Sequence, residues 1–181
     1  MAFLVASVVL VGALGVVNLL FSFGVIRRLR EHTEILNQFG GQPHSVILEP
    51  GQTVADFAAT TVDGGPVSVN TVDGPTLVGF FTPGCTPCQT KLPSFIEHAR
   101  QHPGGRERVL AVIVGENDED TAPYVTDLNG TAHVVRDVDG GLVHKAFGVQ
   151  GFPAFALIDL GGVVLASGSD VSDMSASTVK T

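Results

Sequence analysis

A chain of 181 residues, 44% hydrophobic and with 22 glycines scattered rather than periodic, suits one globular domain plus an appendage and excludes a collagen-like or disordered polymer. Its charge is divided: residues 1–26 carry no Lys, Arg, Asp or Glu, whereas from Glu31 onward 7 basic residues face 18 acidic ones, a net of −11 that argues against a nucleic-acid partner. The 2 cysteines are too few and too close together for a disulfide framework or a four-ligand zinc site, so the pair is read as reserved for chemistry.

Taken in chain order, Ala2 to Ile26 is an uncharged run of Val, Leu, Ala, Phe and Gly. As a helix it would span roughly 37 Å at about 1.5 Å per residue, enough to cross a bilayer with some tilt. No basic region precedes it and no small-x-small cleavage site follows it before Arg27, so a retained transmembrane anchor is expected over residues 2–26 rather than a cleaved leader. Residues 27–49 read as a juxtamembrane stalk and linker, ended by Gly40-Gly41-Gln42-Pro43.

A globular domain is expected over residues 50–168. Val54 to Val62 and Pro66 to Val69 flank Asp63-Gly64-Gly65 as a hairpin. Thr76 to Phe81 and Val109 to Val114 are continuous apolar runs, the mark of strands buried on both faces. Helices are expected over Cys88 to His102, Asp118 to Leu128 and Leu142 to Phe147, with a short strand at His133 to Val135. Ala154 to Ile158 and Val163 to Ala166 form a second hairpin around Asp159 to Gly162. Residues 169–181 read as a polar tail or a weak helix. The fold class is therefore α/β, a central sheet flanked by helices.

The chemistry lies in Thr82-Pro83-Gly84-Cys85-Thr86-Pro87-Cys88, which follows one buried strand and opens a helix. Unpaired N–H groups and the dipole at a helix start stabilise a thiolate, so Cys85 is expected to be the nucleophile with a lowered pKa. Cys88, one turn on, is within reach to resolve a mixed disulfide. Pro87 stands in the first turn, where helices tolerate proline best. No cofactor is expected beyond the redox-active Cys85–Cys88 disulfide.

In this setting the motif resembles the active site of thioredoxin-fold proteins. Val112 to Glu116, Val135 to Asp139, Ala146 to Val149 and Gly151-Phe152-Pro153 are similar to the membrane-anchored TlpA/ResA-like branch. The apolar N-terminus and the short loop before Cys85 also resemble the MauD-type accessory proteins of methylamine dehydrogenase maturation. The resemblance implies a thioredoxin-like mixed sheet, and a cis-Pro153 facing the disulfide, where Phe152, Pro153 and Pro87 would contact substrate. It implies protein thiol and disulfide clients and a membrane or soluble electron donor or acceptor. The chain departs from the pattern at three places. Gly84 replaces the tryptophan that commonly precedes the first cysteine, Gly79 stands where thioredoxins keep a buried acid, and Lys91 stands where ResA-like members carry a glutamate. Lys91 is expected to favour the thiolate.

Two other functions fit parts of the sequence. Thr82-x-x-Cys85 matches part of the peroxiredoxin pattern P-x-x-x-T-x-x-C, with Val78 in place of its proline. A copper-delivery protein resembling Sco would use the cysteines with His133 or His144, although its C-x-x-x-C is one residue longer. His98 and His102, four apart, are read as surface residues before metal ligands. Glu116 to Asp120 reads as a solvated acidic helix start. Localisation is expected at the cell membrane, single-pass. The resemblance favours an extracytoplasmic domain, whereas Arg27, Arg28 and Arg30 after the span argue for the opposite side.

Overall fold

The computed structural model of the chain describes residues 45–71 and 74–175, together with Gly12. The chain divides into two units, Met1–His44 and Ser45–Thr181, and the second carries both cysteines. The expected span at 2–26, residues 27–44 of the stalk and residues 176–181 of the tail lie outside the described residues, Gly12 excepted. Among the described residues no helix is long and apolar enough to cross a membrane.

A small hairpin comes first: β1 (Ala58–Thr60) pairs antiparallel with β2 (Pro66–Ser68) across the turn at Asp63 to Gly65. Then follow β3 (Thr76–Phe81), α1 (Thr86–Gln101), β4 (Val109–Val114), α2 (Asp118–Leu128) and β5 (His133–Asp137). A short α3 (Leu142–Ala146), the antiparallel pair β6 (Ala154–Ile158) and β7 (Val164–Gly168), and a single turn, α4 (Ser172–Ser175), complete the domain. The main sheet has the order β5-β4-β3-β6-β7. β3, β4 and β5 run parallel, and β6 runs antiparallel to β3. This is the mixed sheet that the resemblance implies.

All six residues of β3 and all six of β4 are buried, which is why their sequences are unbroken apolar runs. Alternate side chains of β3 enter different cores. Val78 and Phe80 face Phe57 and Phe147, with Phe80 and Phe147 5.2 Å apart. Leu77 and Phe81 face Phe95 of α1 and Phe155 of β6, where Phe81 stands edge-on to Phe95 at 5.2 Å. Both outer strands are partly covered. Thr61 bridges to Val135 of β5, and Thr53 to Val163 beside β7.

Several boundaries differ from the sequence reading: β1 is confined to Ala58–Thr60 of the expected Val54 to Val62, β2 ends at Ser68 rather than Val69, and β7 runs Val164–Gly168 rather than Val163 to Ala166. α1 starts at Thr86, not Cys88, because Pro87 takes the second helical position, where its missing N–H costs nothing. β5 continues through Arg136 to Asp137, paired with Ile113 and Val114. α3 ends at Ala146, with Phe147 as its C-cap.

Candidate active site

The sheet topology decides what meets Cys85. The chain leaves β3 at Phe81 and turns through Thr82, Pro83 and Gly84 into α1. Because β6 is antiparallel to β3, with Phe80 opposite Ala154, the start of β6 lies at the same end of the sheet. That brings Phe152 and Pro153 to the start of α1. The Phe152–Pro153 bond is cis, the geometry the resemblance implies.

Gly84 has φ of 76°, a left-handed conformation that costs glycine little and a side-chain-bearing residue more. A tryptophan at this position would be strained, which accounts for its replacement here. The turn is held from the α2 side. Tyr124 donates its hydroxyl to the Thr82 carbonyl at 3.4 Å, and burial raises the Tyr124 pKa. A Cβ on Gly115 would come within 3.2 Å of Pro83, so that packing is close.

Cys85 is the N-cap of α1, and its Sγ accepts the Cys88 N–H at 3.1 Å. The two cysteines are joined as a disulfide, with Cα atoms 5.2 Å apart. Their exposures differ: Cys85 is half-buried and Cys88 is fully enclosed. Once the pair is reduced, a Cys85 thiolate inherits the Cys88 N–H and the helix dipole. The Phe152 carbonyl lies 3.8 Å from Cys85 Sγ. Pro87 is exposed on the first turn and Phe152 is half-buried at the rim.

Lys91, the cation expected near the thiolate, forms an ion pair with Asp170, in the loop after β7. Hydrogen bonding from Lys91, then from the Ser172 N–H and hydroxyl, lowers the Asp170 carboxyl from 3.8 to about 2. A depressed carboxyl stabilises the fold above its unfolded pKa and loses that effect as pH falls through the folded one. The Lys91–Asp170 contribution is therefore expected to fade between pH 3.8 and about 2. Both side chains are more than a third exposed, so it is worth no more than about 1 kcal/mol. Acid titration of the unfolding free energy of wild type against Asp170→Asn checks this, the two curves converging at the acid end.

The histidines offered as ligands are otherwise occupied. His98 Nδ1 and His102 Nε2 each lie 2.9 Å from a backbone carbonyl, of Ser94 and Pro75. His133 pairs with Glu107 at the start of β5, the opposite end of the sheet from Cys85. His144 Nδ1 accepts the Gly140 N–H at 3.3 Å. Among the described residues no group of side chains is arranged to hold a metal ion. Glu116 to Asp120 are exposed, and Asp118 pairs with Arg136 at 3.3 Å. Two clefts open away from the disulfide, one of about 410 Å³ beside His98 and Met174, the other of about 260 Å³ beside Thr76 and His133.

Residues 50–167, well over half of the chain, match the AhpC/TSA family. The chain belongs to the AhpC/TSA family. The thioredoxin domain of a thiol-disulfide oxidoreductase from Bacteroides vulgatus superposes with a TM-score of 0.57 at 20% identity, covering 72% of this chain and 96% of that one. StoA from Bacillus subtilis gives 0.53 at 22% identity, covering 71% and 99%. MTB dsbF, solved in mixed oxidised and reduced forms, gives 0.54 at 25% identity, covering 72% and 96%. No curated protein matches in sequence. This AhpC/TSA member, with its C-x-x-C pair closed as a disulfide on a thioredoxin-like fold, is a thioredoxin-like oxidoreductase.

Two parts of the site escaped the sequence reading. Tyr124 sits 39 residues after Cys85, in a helix whose register against the Thr82 turn only the sheet order reveals. The Asp170 partner of Lys91 lies 79 residues away. The contact of His144 with Phe152, eight residues on, was not read either.

Proposed function

We propose that this protein is a membrane-anchored reductant of the TlpA/ResA-like branch, exchanging disulfides with protein clients through Cys85 and Cys88. The observation that carries the reading is the asymmetry of the pair: one sulfur at the surface beside the Phe152 carbonyl, the other enclosed. In the reducing direction the Cys85 thiolate attacks one sulfur of a client disulfide, and the other leaves as a thiolate. Cys88, once deprotonated, attacks Cys85, the client's second thiol departs, and the pair ends oxidised. Two electrons have moved to the client. Phe152 and Pro153 border the client chain, and Pro87 is exposed on the first turn of α1.

The Lys91–Asp170 pair supports the reducing direction. Strong oxidants of this fold are made so by a heavily stabilised reduced form. Here the nearest added cation on the helix, Lys91, is spent on Asp170. The equilibrium reduction potential of the Cys85–Cys88 pair tests this. A value near or below about −250 mV supports a reductant, and one near about −120 mV overturns that direction. If no reversible disulfide forms, the exchange reading fails altogether.

The anchor is assigned to residues 2–26, and the domain to the extracytoplasmic side, where disulfides persist and clients reside. A cysteine-free reporter fused after Thr181 is expected to be active outside; activity confined to the cytoplasm overturns the assignment. A membrane or soluble electron donor must then recharge the pair. Peroxide consumption well above that of a free thiol would favour the peroxiredoxin-like alternative. Tight stoichiometric Cu(I) binding that requires His144 would favour the Sco-like one.

A further inference from the structure

The turn after β5 is built to fix one side chain. Asp137 accepts the Val138 N–H at 2.9 Å through Oδ1 and the His144 N–H at 2.8 Å through Oδ2. Gly140 has φ of 67°, and a Cβ on Gly141 would collide with the Asp137 carboxylate. His144 is thereby folded back on the turn. Its Nδ1 accepts the Gly140 N–H, and its Nε2 lies 3.6 Å from Asp139 Oδ1. Nδ1 is hydrogen-bonded to the turn, and the side chain is only 12% exposed.

The face of the ring lies against Phe152, with centroids 5.8 Å apart and planes inclined by 32°. Phe152 carries the carbonyl beside Cys85 Sγ and precedes cis-Pro153. His144 is thus joined to the sulfur by one ring contact and one carbonyl, although neither of its nitrogens points at the disulfide.

We propose that His144 is a positioning residue for exchange with polypeptide disulfides: its ring, fixed by the Asp137 turn, holds Phe152 and the backbone that a client chain lies on. The proposal rests on disulfide exchange at Cys85 being the protein's activity. It separates two quantities that a general loss of structure would lower together. The Cys88 N–H and the dipole at the α1 start, which stabilise the Cys85 thiolate, do not involve His144. The advantage of a peptide over a bare thiol compound comes from Phe152 and Pro153 and does.

The test uses the reduced full-length protein and two probes that release the same coloured thiol. One is a short peptide whose single cysteine carries thionitrobenzoate; the other is cysteine carrying the same group. Wild type is expected to react faster with the peptide. His144→Asn keeps an acceptor for the Gly140 N–H but removes the ring. It is expected to lose about three- to tenfold on the peptide, the scale of an aromatic contact, and to keep its rate on cysteine. His144→Phe keeps a ring on Phe152 and is expected to retain the peptide rate. Equal losses on both probes, or a loss in His144→Phe with none in His144→Asn, overturn the proposal. So does a wild type with no preference for the peptide. A wild type that reacts with neither probe overturns the oxidoreductase reading, and this proposal with it.

Discussion

Cys85→Ser is expected to abolish disulfide exchange, lowering turnover on the order of a thousandfold or more. Cys88→Ser is expected to leave the first step intact and stop the second. The geometry sets this asymmetry. Cys85 is the reachable sulfur, capped by the Cys88 N–H, whereas Cys88 is enclosed among Phe81, Leu92 and Phe95. A client sulfur cannot approach Cys88, so the first bond must form at Cys85. With serine at 88 nothing can displace the client, and a covalent adduct accumulates. Intact-mass measurement of the non-reduced Cys88→Ser protein should show the adduct, and thiol treatment should remove it. Full turnover by Cys85→Ser, or adducts formed by that variant alone, would reverse the roles or end the mechanism.

The second large effect is on stability, at Gly79. A Cβ there would stand 2.6 and 2.9 Å from ring atoms of Phe95 and 3.1 Å from Phe81. Neither ring can retreat. Both are fully buried, and Phe95 also stacks on Phe155 at 5.7 Å. Gly79→Ala is therefore expected to cost about 1–3 kcal/mol through overpacking. Gly79→Asp, which would restore the buried acid of thioredoxins, is expected to cost more than about 4 kcal/mol. It adds an unpartnered carboxyl to an apolar core. Equilibrium urea unfolding of both variants checks the order; a tolerated aspartate would mean that the aromatic cluster is looser than it stands here. The same contacts explain the missing acid, because the aromatic rings fill the space it would occupy.

How far the sequence carried the reading depended on distance along the chain. β3 and β4 were legible because runs of five or six residues without a charge or strong polar group have only one economical place, the middle of a sheet. The Cys85 helix was legible from local signals, although Thr86 and Pro87 disguised its first turn. The cis geometry at Pro153 came from resemblance, since an X–Pro bond carries no mark of its isomer. Lys91 shows what local reasoning leaves out. Three positions after Cys88 it reads as a neighbour of the thiolate, and its ion-pair partner, Asp170, lies 79 residues away. The same holds for His144. As a lone histidine it suggests a metal, while its role is set by Gly140 before it and Phe152 after it, which meet only in the folded chain.

With Cys88 sealed inside the domain, every electron pair that passes through the disulfide crosses one half-buried sulfur, that of Cys85. Donor and recipient must therefore occupy the same spot in alternation, never together. Each in excess should obstruct the other, and initial rates plotted against either should give parallel lines. A surface so shared cannot be tailored closely to one visitor without turning away the next. Selectivity has to come from the ground around the sulfur.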